Sequence, residues 1–409
     1  MNLSIYLSQK LSGASSRTGR TGSVIAVLGV SLALAVLEIT MGIVTGFKHQ
    51  ITAKLEGFIA PVSISSPTDF YGARTESFIS LNDTILGPVR KLLPHSSPTP
   101  VLTQPAIIKT DNDFAAIVVN GHEYDYEPVF ESSNLVDGSW FDKNDDVNGI
   151  VISRQTASRT GLNVGDKTTL CFFVDEKIKS RPFVIKGIYD SGFGDFDRII
   201  AYAPSPAIRA VNRLDDTMIT RLEVRNLSID EADPTAAALS DAFAQNDPGH
   251  AYTVSSISHE GAQYLNWLDL LDTNVVVIFI LMGLVGGVTL ISSLFILVLD
   301  KIRAIGILRS LGASDRLVKQ LFTHLSLRLV GTGLIIGNII GLGFIFTQSR
   351  WHYISLDPEM YYLDSVPVEF SIWWLLGVNA AVILLSWAVI LVPARFASKL
   401  SPVSTFRFE

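Results

Sequence analysis

The chain has 409 residues, of which 48% are hydrophobic and 17% charged, with a formal net charge of −7. A soluble domain usually carries about 25% charged residues; here the deficit sits in a few long apolar runs, and the remainder has ordinary soluble composition. That unevenness excludes a simple soluble globule, and the acidic balance gives no reason to expect nucleic acid as a partner.

In chain order, a short segment (1–22) bearing Lys10, Arg17 and Arg20 precedes the first apolar run, 23–47. A cleaved signal peptide would have a similar basic lead. Its apolar stretch, though, is usually about 7–15 residues long and closes on a small-x-small site. Run 23–47 is longer and lacks that ending, so it reads as a retained anchor. Residues 48–269 form a large insertion. It opens with KHQITAKLEGF, which continues the first run as helix to about Gly57. A helix is expected at 81–93, started by Asn82 and Asp83. The middle, about 101–225, reads as strand-rich, with strands at 106–109, 114–120, 149–152, 168–174, 183–189, 199–202 and 221–224. Helices are expected at 153–160, closed by Gly161, and at 205–212 and 235–244.

Three more apolar runs follow, at 274–299, 325–346 and 372–392. Each run is long enough to cross a bilayer core, which takes about 20 residues. The fold class is therefore a membrane protein with four transmembrane α-helices and a large α+β domain inserted between the first and second. Lys301, Arg303, Arg309, Arg316 and Lys319 lie between spans two and three (coupling segment 300–322), and Arg395, Lys399 and Arg407 lie in the tail, 393–409. The link 347–371 has only Arg350 against Asp357, Glu359, Asp364 and Glu369. By the positive-inside rule, both termini and segment 300–322 are cytoplasmic, and the insertion and link 347–371 lie outside.

No catalytic constellation is visible. His49, His122, His250 and His259 lack metal-ligand spacing and read as surface residues, and no G-x-x-x-x-G-K-[ST] phosphate loop is present. Any ATP and Mg that drive the protein are expected in a partner subunit; this chain is expected to bind no cofactor. Cys171 has no disulfide partner and reads as a buried strand thiol.

Several segments carry a resemblance. They are MGIVTGFKHQI (41–51), IVISRQTASRTGLNVGDKTTL (150–170), FVIKGIYDSGFGDFDRIIAY (183–202), DKIRAIGILRSLGASDRLVKQLF (300–322), YYLDSVPV (361–368) and the tail PARFASKLSPVSTFRFE (393–409). Together, in this order, they resemble the MacB-like (type VII) ABC transporter permeases, which include MacB and FtsX. They are closest in pattern to the LolC/LolE lipoprotein-releasing group. The resemblance implies an inner-membrane permease that partners an ABC ATPase, a second permease copy or sister permease, lipoprotein cargo, membrane lipids and a periplasmic lipoprotein chaperone. The alternative is a mechanotransmission permease that drives efflux or a periplasmic partner. A membrane enzyme is disfavoured by the missing catalytic cluster.

Two sets of residues are singled out. Ile302, Ile305, Leu308 and Leu311 recur at helical spacing, Gly312 suits a helix stop, and Ser314 or Asp315 can cap the next helix. Lys301, Arg303 and Arg309 are expected to face outward. The resemblance implies that this helix sits in a groove of the ATPase. Glu38 is the one acid well inside a span, where ionisable groups are costly and point to function or a specific partner. It is expected either to line a cargo cavity between spans one and two, with Met41, Phe47, Asn274 and Val277, or to bond a neighbouring helix through Ser292, Ser293 or Thr289. In LolC-like permeases, a long loop after the VGD strand forms a hook for the chaperone. Here only the charged stretch 175–180 (DEKIKS) is left between strands, so a plain hairpin is expected.

Overall fold

The computed structural model describes residues 17–67, 78–110, 114–126, 129–143, 148–174, 177–246 and 252–398. The four apolar runs are helices: Arg17–Phe58, Ala262–Asp300, Asp315–Trp351 and Ile372–Ser398, each long and apolar enough to cross a membrane. Two compact units result, one of membrane helices and one of the inserted domain.

In the membrane unit, the first and third helices approach through glycine. Gly333, Gly337 and Gly341 recur every fourth residue on one face of the third helix. A Cβ at the first two would come within 2.8 Å of Val30 and 2.9 Å of the Ser31 carbonyl. Lipid tails are as apolar as leucine, so close backbone approach and dispersion take over from the hydrophobic effect as the packing force. Gln348, fully buried, donates from Nε2 to the Val366 carbonyl at 2.9 Å and so ties down the outer link.

The inserted domain has twelve strands among its described residues. They are β1 (Val62–Ser65), β2 (Ile79–Ser80), β3 (Thr99–Lys109), β4 (Phe114–His122), β5 (Leu135–Gly138), β6 (Gly149–Ser153), β7 (Lys167–Val174), β8 (Lys177–Tyr189), β9 (Ile200–Pro204), β10 (Met218–Ile219), β11 (Arg221–Val224) and β12 (Thr253–Ser256). Six of them close on themselves in the order β3-β4-β9-β6-β8-β7 and back to β3, making a small barrel. Alternation fills it: Thr168, Leu170, Phe172 and Val174 of β7 point in, and Ile108, Ile117, Ile150, Ile185 and Ala201 meet them. The helix Ser205–Asn212 packs Ala207, Ile208 and Val211 on the same core.

The first residues of β3 do a second job. Thr99–Val101 pair with β11, which continues through β1 to β12. Helices Asp83–Leu92 and Ile229–Asn246 cover this sheet, with Val89, Leu222, Leu239 and Phe243 in a separate core. The local signals act as their chemistry dictates. Asn82 accepts from the Ile85 amide at 3.2 Å, Ser153 accepts from the Thr156 amide at 3.0 Å, and Gly161 closes its helix at φ +71°. The segment Ser191–Asp197 is a closed turn: the Asp197 carboxylate accepts from the Ser191 hydroxyl at 2.7 Å and the Ser191 amide at 3.2 Å. Burial pushes the Asp197 carboxyl up to about 6, against the lowering effect of Ser191.

Three sequence expectations need correction. His122 is buried, not on the surface. It ends β4, where four consecutive residues are buried, and its ring stacks on Tyr126 at 4.1 Å. Burial pushes its imidazole down to about 3, with the neighbouring Glu223 carboxylate opposing the shift. Glu223 is itself buried. Desolvation raises its carboxyl, but Arg225 and Arg221 outweigh that and hold it at about 2. Cys171 is on a strand as expected but only half-buried, its Sγ 3.5 Å from the Ser180 hydroxyl. Finally, Lys177–Ser180 belong to strand β8 and not to a turn: the hairpin pairs down to Val174 opposite Lys177. The remaining two residues, Asp175 and Glu176, lie outside the described residues, as does His250.

Candidate functional site

The segment after the second span folds as a short helix, Ile302–Ser310. Gly312 takes φ +90°, a left-handed conformation that suits glycine, and Ser314 then caps the third span, accepting from the Leu317 amide at 3.4 Å. Asp315 lies in the first turn of that span, where an acidic side chain suits the helix dipole. The apolar residues do not form one stripe. Ile305 points inward and packs on Val298, Val318 and Leu321; Ile302 and Leu308 are half-buried. Leu311, by contrast, is 80% exposed, and Ile307 is 54% exposed. Arg303 is exposed with them. The outward face is therefore Arg303, Ile307 and Leu311, a four-residue spacing that includes one residue the sequence reading passed over. Ile307 had a signal, since it lies one helical turn from both of the others. Lys301 does not turn outward: it is buried and pairs with Asp300 at 3.2 Å. Arg309 is part of the helix backbone.

Glu38 is fully buried, but it does not face the second span. It turns to the third and fourth. Asn379 donates to its Oε1 at 3.2 Å, and Asn379 and Asn338 exchange amide hydrogen bonds at 2.8 and 3.2 Å. The partner is thus an asparagine of the fourth span and not Ser292, Ser293 or Thr289. Sequence reasoning missed Asn338 and Asn379, though polar residues in apolar runs were the available signal. Gly341 backs onto the carboxylate, and a Cβ there would collide with Glu38 Oε2. One acid and two amides thereby join three helices inside the bilayer.

A small cleft of about 70 Å³ opens between the first, second and fourth spans. Val30, Ala33 and Leu37 line one wall, Phe279, Gly283 and Gly286 the second, and Val382 and Ser386 the third. None of Glu38, Met41, Phe47, Asn274 and Val277 lines it. Met41 and Phe47 are half-buried, and Asn274 and Val277 are exposed along the second helix. Lys48 bonds Asp272 at 2.7 Å and Asp269 at 3.4 Å, closing the first helix onto the second near Phe47 and Asn274. Of its most apolar stretch, the second helix buries only 6%, against 44% for the first, so a face with Ile280, Leu284 and Val288 is left uncovered by the described residues.

Residues 23–245 match the MacB-like periplasmic core domain, and residues 276–402 match the FtsX-like permease C-terminal domain. The chain is 23% identical over 408 residues to the lipoprotein-releasing system transmembrane protein LolC of Xylella fastidiosa, covering 95% of this chain and 94% of that one. It is 26% identical over 402 residues to LolE of Haemophilus influenzae, covering 92% and 91%. The pyoverdine export ATP-binding/permease protein PvdT of Pseudomonas entomophila is 22% identical, over 95% of this chain and 58% of that protein. Fold and matches together define a multi-pass membrane permease with a periplasmic domain between its first and second spans. The chain belongs to the MacB-like, FtsX-like permeases of the type VII ABC class, as a permease subunit, and is similar end to end to LolC and LolE. Membership of this family implies a partner ATPase.

Proposed function

We propose that this chain is a transmembrane subunit of an ATP-driven complex that extracts lipoproteins from the inner membrane for transfer towards the outer membrane. The observation that carries the reading is end-to-end similarity to both LolC and LolE, over more than nine-tenths of each chain. In this reading the ATPase holds ATP and Mg and docks on Arg303, Ile307 and Leu311, with both termini on its side of the membrane. A second copy or sister permease covers the bare face of the second span, and a periplasmic chaperone receives the cargo. No bond in the cargo is broken.

The test is reconstitution of the permease and its ATPase in vesicles loaded with a labelled lipoprotein. ATP should move the label to the soluble fraction when a periplasmic acceptor is supplied. Retention of the label under steady ATP hydrolysis would sink the reading. The PvdT similarity favours a second reading, a mechanotransmission permease that drives efflux; there, lipoprotein would neither be released nor stimulate the ATPase.

A further inference from the structure

We propose that Asp195 and Tyr362 are positioning residues that lock every membrane connection of the periplasmic domain to the barrel, so that movement of the spans reaches it as one displacement. The inference rests on the ATP-driven permease assignment and not on the identity of the cargo.

The geometry is a single node. Asp195 follows Gly192–Phe193–Gly194 in the turn between β8 and β9, and its Oδ2 accepts two phenolic hydrogen bonds. One comes from Tyr264 at 3.0 Å, the other from Tyr362 at 2.9 Å. Tyr264 belongs to the helix that continues as the second span, and Tyr362 to the link between the third and fourth. The first span's helix contributes Lys54. Its ammonium donates to the carbonyls of Ser191 at 2.5 Å and Tyr362 at 2.8 Å. Gly192, at φ +65°, leaves room for it, since a Cβ there would sit 3.1 Å from Lys54 Nζ. Phe193 wedges its ring edge-on between Tyr362 at 4.6 Å and Tyr264 at 5.1 Å.

Each link would be modest alone. Hydrogen bonds to an ionised group are the stronger class, and sharing one carboxylate oxygen couples the two phenols. Tyr362 holds φ +60°, a conformation that non-glycine residues adopt at a cost and that persists where the surroundings over-determine it. A link with only a connecting role needs no such residue. The node gathers one residue from each of the three chain segments that enter the membrane, and it does so at the turn that the barrel closes with Ser191 and Asp197.

The experiment uses the full complex with its ATPase and follows amide hydrogen exchange with ATP or ADP bound. In the unmodified protein, nucleotide should change exchange in β7 and β8. Tyr264→Phe and Tyr362→Phe each keep the ring and remove one bond to Asp195. Each should speed exchange around Tyr362 by about tenfold, the effect of losing a bond to a charged acceptor. The double variant should hydrolyse ATP normally yet lose the nucleotide-dependent change in β7 and β8. Asp195→Asn, which keeps an acceptor oxygen, should retain part of it. A double variant whose barrel still responds fully to ATP would overturn the proposal, as would an unmodified barrel that never responds. A barrel that responds while lipoprotein stays in the membrane would overturn the cargo assignment and leave the node standing.

Discussion

Two buried ionisable residues show how differently water and lipid price a charge. His122 is kept neutral inside the periplasmic domain, at about 3, well below an ordinary imidazole. Protonating it favours the unfolded chain, so its contribution is complete above about pH 6.5 and is lost as pH falls towards 3. Glu223, held at about 2, adds a second loss from about pH 4.5 downward. Asp197 acts in the opposite sense: its raised value of about 6 means that stability recovers as pH falls from 6 towards 4. The expected profile is nearly flat between pH 6 and 4.5 and steep below. His122→Phe, which keeps a ring to stack on Tyr126, should reduce the acid slope by up to about 1.4 kcal/mol per pH unit. Urea unfolding of the detergent-solubilised chain, read at Trp140 beside Tyr202, would show it; an unchanged slope would rule the mechanism out. In the membrane, Asn379 is the one hydrogen-bond partner of Glu38 among the described residues. Asn379→Leu should cost about 0.6–2 kcal/mol of helix association, whereas Glu38→Gln, with the same shape, should leave association near the parent value. Thermal unfolding in detergent separates the two, and equal losses would argue against the bond.

At the scale of elements, the helix Ile302–Ser310 has two apolar faces with different duties. Ile305 anchors it to the second and third spans, and Ile307 with Leu311 is left outside. Changing Ile307 and Leu311 together to Asp should reduce capture of the ATPase by about tenfold or more, the effect expected when central apolar anchors are lost from an interface. The spans should stay folded, because neither side chain is packed. Ile305→Asp should instead unfold the segment by burying a charge. Full capture of the ATPase by the double variant would show that it docks elsewhere. Much of this element was legible beforehand, since Gly312 and Ser314 act locally and their chemistry is written in neighbouring residues. Its outward face was not. The apolar spacing 302, 305, 308, 311 fits a helix equally well inside or outside, and only the packing of Val298, Val318 and Leu321 decides the phase.

For the molecule as a whole, the four spans and the inserted domain could be read from the chain because run length and composition are themselves the physics of a bilayer. Closure of the barrel could not. It depends on β3 meeting β7 and on β4 meeting β9, pairings between segments roughly 60–80 residues apart with no local signal. The same holds for Glu38, whose partner lies 341 residues away, and for His122, whose ring stacks on Tyr202, brought alongside it by the pairing of β4 with β9. What local chemistry specifies was visible; what the return of distant strands specifies was not.

That return has a consequence for how the protein is made. β1 lies just after the first span, yet both of its neighbours, β11 and β12, are supplied near the far end of the insertion. Ser63 must wait for Ser255, about 190 residues later, which takes roughly 10–40 s at ordinary rates of synthesis. Until then β1 keeps at least one open edge on the far side of the membrane, although most of the strand ends up buried. The sheet is completed only as the second span is leaving the ribosome, so domain folding and membrane insertion must finish almost together, and a chaperone that shields bare strand edges would have its main work in that interval.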